Sequence, residues 1–119
     1  MKIFVDIDET ICYNTNINKS KTRDYNLSTP IKENIEAVNR YYDDGHEITY
    51  WTARGSTTGI DWYDVTKQQL VEWGAKHHNL MLGKPHYDLY IDDKSINTIA
   101  WQKNNRQIQI NTEMKNDKK

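Results

Sequence analysis

Two aspartates separated by one residue, Asp6 and Asp8, follow a short apolar run. Further along come Thr52, Lys84 and a second acidic pair, Asp92-Asp93. Residues i and i+2 at the end of a strand project to the same side, so Asp6 and Asp8 can address one substrate together. One of two close carboxylates can stay ionised to attack while its neighbour holds a proton to donate. Lys84 offers positive charge to phosphoryl oxygens and Thr52 a hydroxyl donor, together stabilising the charge that spreads over a transferring group. Asp92 and Asp93 add negative charge around a phosphate, a repulsion that calls for a cation. Mg²⁺ answers it, because it binds through one or two carboxylates plus waters and phosphate oxygens. In combination these residues match the steps of phosphoryl transfer through an aspartyl phosphate. Thr10, inside the first motif, and Arg54 and Ser56, just past Thr52, are the candidates for holding substrate. Arg54 and Ser56 could take a second phosphate or sugar hydroxyls, although the same stretch also reads as a solvated turn.

These residues need elements to carry them. Lys2 to Ile7 is a short run rich in β-branched and aromatic residues, which predicts a buried strand with Asp6 near its carboxyl end. Residues 13 to 29 lack any period and predict an irregular flap, with Tyr13, Asn14, Lys21 and Arg23 at its entrance side. Thr29-Pro30 predicts a helix start, and Ile31, Ile35, Val38 and Tyr42 recur at helical spacing toward Gly45. Glu47 to Trp51 predicts the second strand and Arg54 to Gly59 a loop beyond its tip. Asp61 to His77 predicts a helix with Trp62, Thr66, Leu70 and Trp73 on one face, followed by a short strand at Leu80 to Leu82. A strand at Asp88 to Ile91, a short helix around Ile96 to Ala100 and an edge strand at Arg106 to Ile110 complete the expectation. Such alternation predicts an α/β, three-layer Rossmann-like fold, with a parallel sheet covered by helices on both faces and ligands at the carboxyl ends of its strands.

Composition bounds the alternatives. A chain of 119 residues fits one core, read as a domain over 1 to 112 with a solvated tail over 113 to 119. Hydrophobic residues make up 36% and charged residues 28%, so four Trp and eight Tyr must supply much of the core. A net charge of -1 provides no basic field for nucleic acid or an anionic membrane. No apolar segment approaches the roughly 20 residues needed to span a bilayer. The single Cys12 cannot form an internal disulfide, which predicts a reducing cytoplasmic setting.

Asp6/Asp8/Thr10, Thr52, Lys84 and Asp92-Asp93 match, in order, the four motifs of the haloacid dehalogenase superfamily of phosphatases, which the chain resembles over residues 1 to about 100. The resemblance implies Asp6 as nucleophile and Asp8 as the acid that protonates the leaving oxygen and then the base for water. It also implies Mg²⁺ held by Asp6, Asp92 and the backbone carbonyl of Asp8, with Asp93 acting through water or orienting Lys84. An Asp at position 8 argues against the dehalogenase and ion-pumping branches, leaving phosphatase or phosphomutase chemistry. The segments 11 to 46 and 53 to 83 hold one helix each, so no cap domain is expected. This is similar to the capless group, especially small phosphatases of capsular or surface polysaccharide synthesis. The substrate implied is a phosphorylated small molecule such as a sugar phosphate. A polynucleotide 3′-phosphatase and a non-catalytic phosphate-binding or assembly module are the alternatives. An open site must be screened from water by the flap, a bulky substrate or a second copy of the chain, so a homo-oligomer is a reasonable expectation.

Overall fold

The chain begins with β1 (Lys2–Val5), then β2 (Cys12–Tyr13), a 3₁₀ turn (Tyr25–Leu27), β3 (Thr29–Pro30), α1 (Lys32–Asp43), β4 (Glu47–Trp51), α2 (Tyr63–Glu72), β5 (Asn79–Met81) and α3 (Thr98–Lys103). This is a computed structural model, and it describes residues 1–14 and 24–108. Two units are distinguished, Met1–His86 and Tyr87–Lys119. The expectations for Lys21, Arg23 and the tail lie outside the described residues.

In the first unit β1, β4 and β5 form a parallel sheet with β4 at its centre. The registers Phe4↔Thr49, Val5↔Tyr50 and Tyr50↔Leu80 show which side chains share a face. The face with Val5, Ile48 and Tyr50 is closed to solvent, while the opposite face leaves Phe4 and Met81 exposed. Helices on both faces were expected, yet on the second face Phe4 and Met81 stay exposed and, of this face's residues, Thr49 at its centre is buried. The topology supplies a reason. Two successive crossovers step in the same direction across the sheet, and connections of the usual right hand then put both helices on one side.

α1 buries Asn34, Ile35, Ala37, Val38 and Tyr41, a stripe at helical spacing that lies against β4. Tyr41, rather than the expected Tyr42, completes it. The helix also starts later than Thr29-Pro30 implied. Those two residues pair instead with Tyr13 and Cys12 in a two-stranded antiparallel ribbon, where Pro30 sits at an edge that does not need its missing amide.

α2 stops at Glu72, well short of His77. Gly74 adopts a positive φ of 67°, and the amides of Gly74 and Ala75 close onto the carbonyls of Val71 and Leu70 at 3.1 and 2.9 Å. That is a Schellman closure, and Gly is the residue that reaches its left-handed position without strain. Its buried face carries Thr66 and Gln69 besides Leu70, two polar residues whose partners lie in the site.

The second unit holds α3, capped by the Asn97 side chain, which accepts from the Ile99 amide at 2.9 Å. The strand expected over Asp88 to Ile91 is not formed. Apolar alternation favours a strand only where a neighbour supplies ladder hydrogen bonds, and Leu89 and Ile91 are instead exposed. The strand expected over Arg106 to Ile110 is likewise replaced, as far as Ile108, by a turn. Asn105 and Arg106 both take positive φ, and the Arg106 amide bonds back to the Trp101 carbonyl at 2.8 Å, which closes the helix. No helix among the described residues is long and apolar enough to cross a membrane.

Candidate active site

The candidate residues of the first unit gather at the carboxyl edge of its sheet. Asp6 comes directly after β1 and Thr52 directly after β4, and Lys84 follows β5 by three positions. Backbone bonds tie the loops together: the Thr52 amide donates to the Met81 carbonyl at 3.0 Å and the Lys84 amide to the Thr52 carbonyl at 3.1 Å. This edge is where α/β sheets bind ligands.

Asp6 ends β1 two residues earlier than the apolar run suggested, and its own side chain is part of the cause. Its Oδ1 accepts from the Ile7 amide at 2.9 Å, while the Ile7 carbonyl accepts from the amides of Thr10 and Ile11 at 3.1 and 2.9 Å. The chain therefore curls at once, with Glu9 in the left-handed region at φ 64°. The Lys84 ammonium lies 3.7 Å from Asp6 Oδ1 and over the Trp51 ring. Asp6 Oδ2 has no hydrogen-bond partner among the described residues. Burial pushes the Asp6 carboxyl above its ordinary range, and Lys84 pulls part of the way back.

Asp8 sits in a different setting. The Arg54 guanidinium grips it from the side, with Nε at 3.2 and 3.1 Å from Oδ1 and Oδ2 and Nη2 at 2.9 Å from Oδ1. Asn14 Nδ2 donates to the same Oδ1 at 2.6 Å, and the Cys12 thiol reaches it at 3.5 Å. Oδ1 is saturated and Oδ2 carries one contact, so Oδ2 is the oxygen left to meet a substrate.

Arg54 had been a candidate for a second phosphate. Its guanidinium is fully buried and every N–H is engaged, so it is not free for that role. Nη1 donates to Thr66 Oγ1 at 3.0 Å and to Gln69 Oε1 at 2.6 Å, Nη2 also reaches Cys12 Sγ and Ser28 Oγ, and the Tyr25 ring lies 4.6 Å away. Ser28 Oγ in turn donates to Asn14 Oδ1. Gln69 closes the cage by donating to the Tyr25 carbonyl at 2.5 Å.

Thr52 is fully buried, and its Oγ1 accepts from the Arg54 amide at 3.1 Å, which helps to set the course of that loop. Ser56, the other expected substrate contact beyond Thr52, donates to the Lys84 carbonyl at 2.7 Å and so braces the lysine's loop. Thr10 contributes through its backbone, its carbonyl accepting from Asn34 Nδ2 at 2.8 Å. Cys12, fully buried, has its thiol pushed up to about 12, first by burial and then by the Asp8 charge. It is a protonated donor at neutral pH rather than a nucleophile.

The residues missed from sequence were Tyr25, Ser28, Thr66 and Gln69. One signal was available: Thr66 and Gln69 are three apart on the face of α2 that also carries Leu70, and polar residues on a buried face require a polar partner.

For a metal the fit is partial. Asp6 presents one uncommitted carboxylate oxygen, which suits a cation. The Asp8 carboxylate does not fit as a ligand, because Arg54, Asn14 and Cys12 occupy it. Asp92 and Asp93 belong to the second unit, where Asp92 Oδ2 accepts from the Lys94 amide at 3.2 Å. Among the described residues no group of three or more His, Cys, Asp or Glu stands ready to hold a metal.

No family model and no curated protein matches the chain. A crystal structure of a target protein from Vibrio cholerae is similar to it, with a TM-score of 0.68 and 26% identity over 85% of this chain and 87% of that one. The chain thus has a small α/β fold, built on a parallel three-stranded sheet, that recurs in another protein along nearly its whole length.

Proposed function

We propose that the chain is a phosphomonoester hydrolase of the haloacid dehalogenase type, Mg²⁺-dependent, with Asp6 as nucleophile and a sugar phosphate or similar small metabolite as substrate. The observation that carries this reading is the uncommitted Asp6 Oδ2 at the carboxyl edge of a parallel sheet, with the Lys84 ammonium 3.7 Å from its sister oxygen. In the first step an Asp6 oxygen bonds to phosphorus, the ester P–O bond breaks, and the leaving oxygen takes a proton from Asp8. In the second, Asp8 accepts a proton from a water that attacks phosphorus, which frees Asp6 and releases phosphate. Asp6, through its uncommitted Oδ2, is the residue of the first unit that would hold Mg²⁺, and the ion would supply charge neutralisation for the phosphoryl group. A lone buried thiol at Cys12 accords with a reducing cytoplasmic setting.

A second reading is favoured by one observation. The grip of Arg54 on Asp8 ties down the group that should move a proton, as a non-catalytic phosphate-binding module would allow. Assay of the purified protein on p-nitrophenyl phosphate, with and without Mg²⁺, decides between them. Metal-dependent hydrolysis that falls about 10³-fold or more in Asp6→Asn supports the first reading. Absence of hydrolysis at any metal concentration supports the second, and substantial activity left in Asp6→Asn places the nucleophile elsewhere.

A further inference from the structure

What distinguishes Arg54 is which groups meet its donors. A fully buried guanidinium needs its charge balanced and its donors satisfied, and Asp8 with two or three carbonyls would do both. Here its donors are instead divided between two jobs. Nε and one Nη2 bond hold Asp8, while the Nη1 edge is anchored on Thr66 Oγ1 and Gln69 Oε1 of α2, and the Tyr25 ring faces the guanidinium from 4.6 Å. The guanidinium plane is thereby fixed from the side away from Asp8. Its fork in turn fixes the plane of the Asp8 carboxylate, because a planar donor pair meeting a planar acceptor leaves little rotational freedom. Asn14 completes the constraint on Oδ1 at 2.6 Å.

We propose that Arg54 is a positioning residue for Asp8: held by Thr66 and Gln69, it saturates Asp8 Oδ1 and, with its Nε–H alone on Oδ2 at 3.1 Å, leaves the rest of Oδ2 to face the substrate as the proton-carrying oxygen. The assignment rests on the phosphatase reading above and adds to it a device that reaches from the buried face of α2 to the site. Thr66 and Gln69 touch no substrate in this scheme. They act through Arg54, and Arg54 acts through Asp8.

The test uses two aryl phosphates that differ in their need for a proton: phenyl phosphate, with a poor leaving group, and 2,4-dinitrophenyl phosphate, with a good one. The ratio of the two kcat values cancels the fraction of enzyme that is folded, so simple loss of structure leaves it unchanged. In Arg54→Lys, which keeps the charge and loses the fork, turnover of phenyl phosphate is expected to fall about 10²-fold, with the dinitrophenyl ester falling far less. Thr66→Val, which removes a far anchor at nearly constant shape, should shift the ratio the same way by about 3- to 10-fold. It also serves as the working variant if Arg54→Lys does not fold. In an Asp8→Asn background, Arg54→Lys and Thr66→Val should produce no further change in the ratio. Equal losses on both esters, or a ratio that still shifts when Asp8 is already Asn, would overturn the assignment while leaving the phosphatase reading intact. A wild-type protein that hydrolyses neither ester sinks that reading and the assignment with it.

Discussion

Asp6 and Asp8 are two residues apart in the chain, yet they occupy opposite kinds of surroundings. Asp6 has a side chain 41% exposed, one backbone amide and a lysine 3.7 Å away, whereas Asp8 is 15% exposed and faces an arginine with no exposure at all. The first carboxylate is loosely held and keeps an oxygen uncommitted; the second is fastened. The difference shows how one strand end can carry two identical side chains with separate duties. Nearby donors, more than the residue itself, decide whether a carboxylate is available for bonding or fixed in place.

If that contrast is right, the two ion pairs must differ in what they contribute to stability. Arg54→Met strips the charge partner from a mostly buried carboxylate and orphans Thr66 and Gln69, so it should cost about 3 kcal/mol in a denaturant titration. A cost near zero would mean that the cage relaxes easily and that Asp8 is not fastened. Gly55→Ala comes next, at about 2 kcal/mol or more. Gly55 follows Arg54 with φ +81°, and a Cβ there would lie far inside contact distance of the Ile60 carbonyl oxygen. A neutral result would show the Arg54 loop to be free to shift. Lys84→Met, by contrast, breaks a long and partly solvated pair and should cost less than about 1 kcal/mol, even where it removes activity.

The smallest effect concerns pH. Burial raises the Asp6 carboxyl above its ordinary range, so the folded state prefers it protonated. That contribution to stability is fully present below the unfolded value and is lost as pH rises through the folded one. Without metal, Asp6→Asn should therefore gain on the parent as pH rises from about 3 to about 7, with little difference at the acid end. Denaturant midpoints of the two proteins across that range report it, and a gap that stays constant or shrinks with pH would show that Asp6 is not held in a desolvated place.

Local pattern made several of these features legible in the sequence. β4 lies where Glu47 to Trp51 predicts it, and the apolar stripe of α1 is legible apart from the exchange of Tyr42 for Tyr41. The placing of Asp6 and Thr52 at strand ends was equally legible, since each follows an apolar run, whereas Asp92, expected at a third strand end, follows no strand. Helix ends were harder, because the Schellman closure at Gly74 competes with helical periodicity that continues to Trp73 and beyond. The strand expected at Asp88 to Ile91 failed for a different reason: its pattern is local but its ladder is not.

By itself, then, the sequence determined the parallel α/β organisation of the first unit and the order in which acidic, hydroxyl and cationic groups reach one sheet edge, since both follow from short-range periodicity and turn chemistry. Only the tertiary structure decided that Arg54 faces inward to Asp8 rather than outward to a ligand. A guanidinium 46 positions away from its carboxylate leaves no trace in local spacing. Its direction is set by where α2 brings Thr66 and Gln69, and by the cost of burying any of these groups without the others.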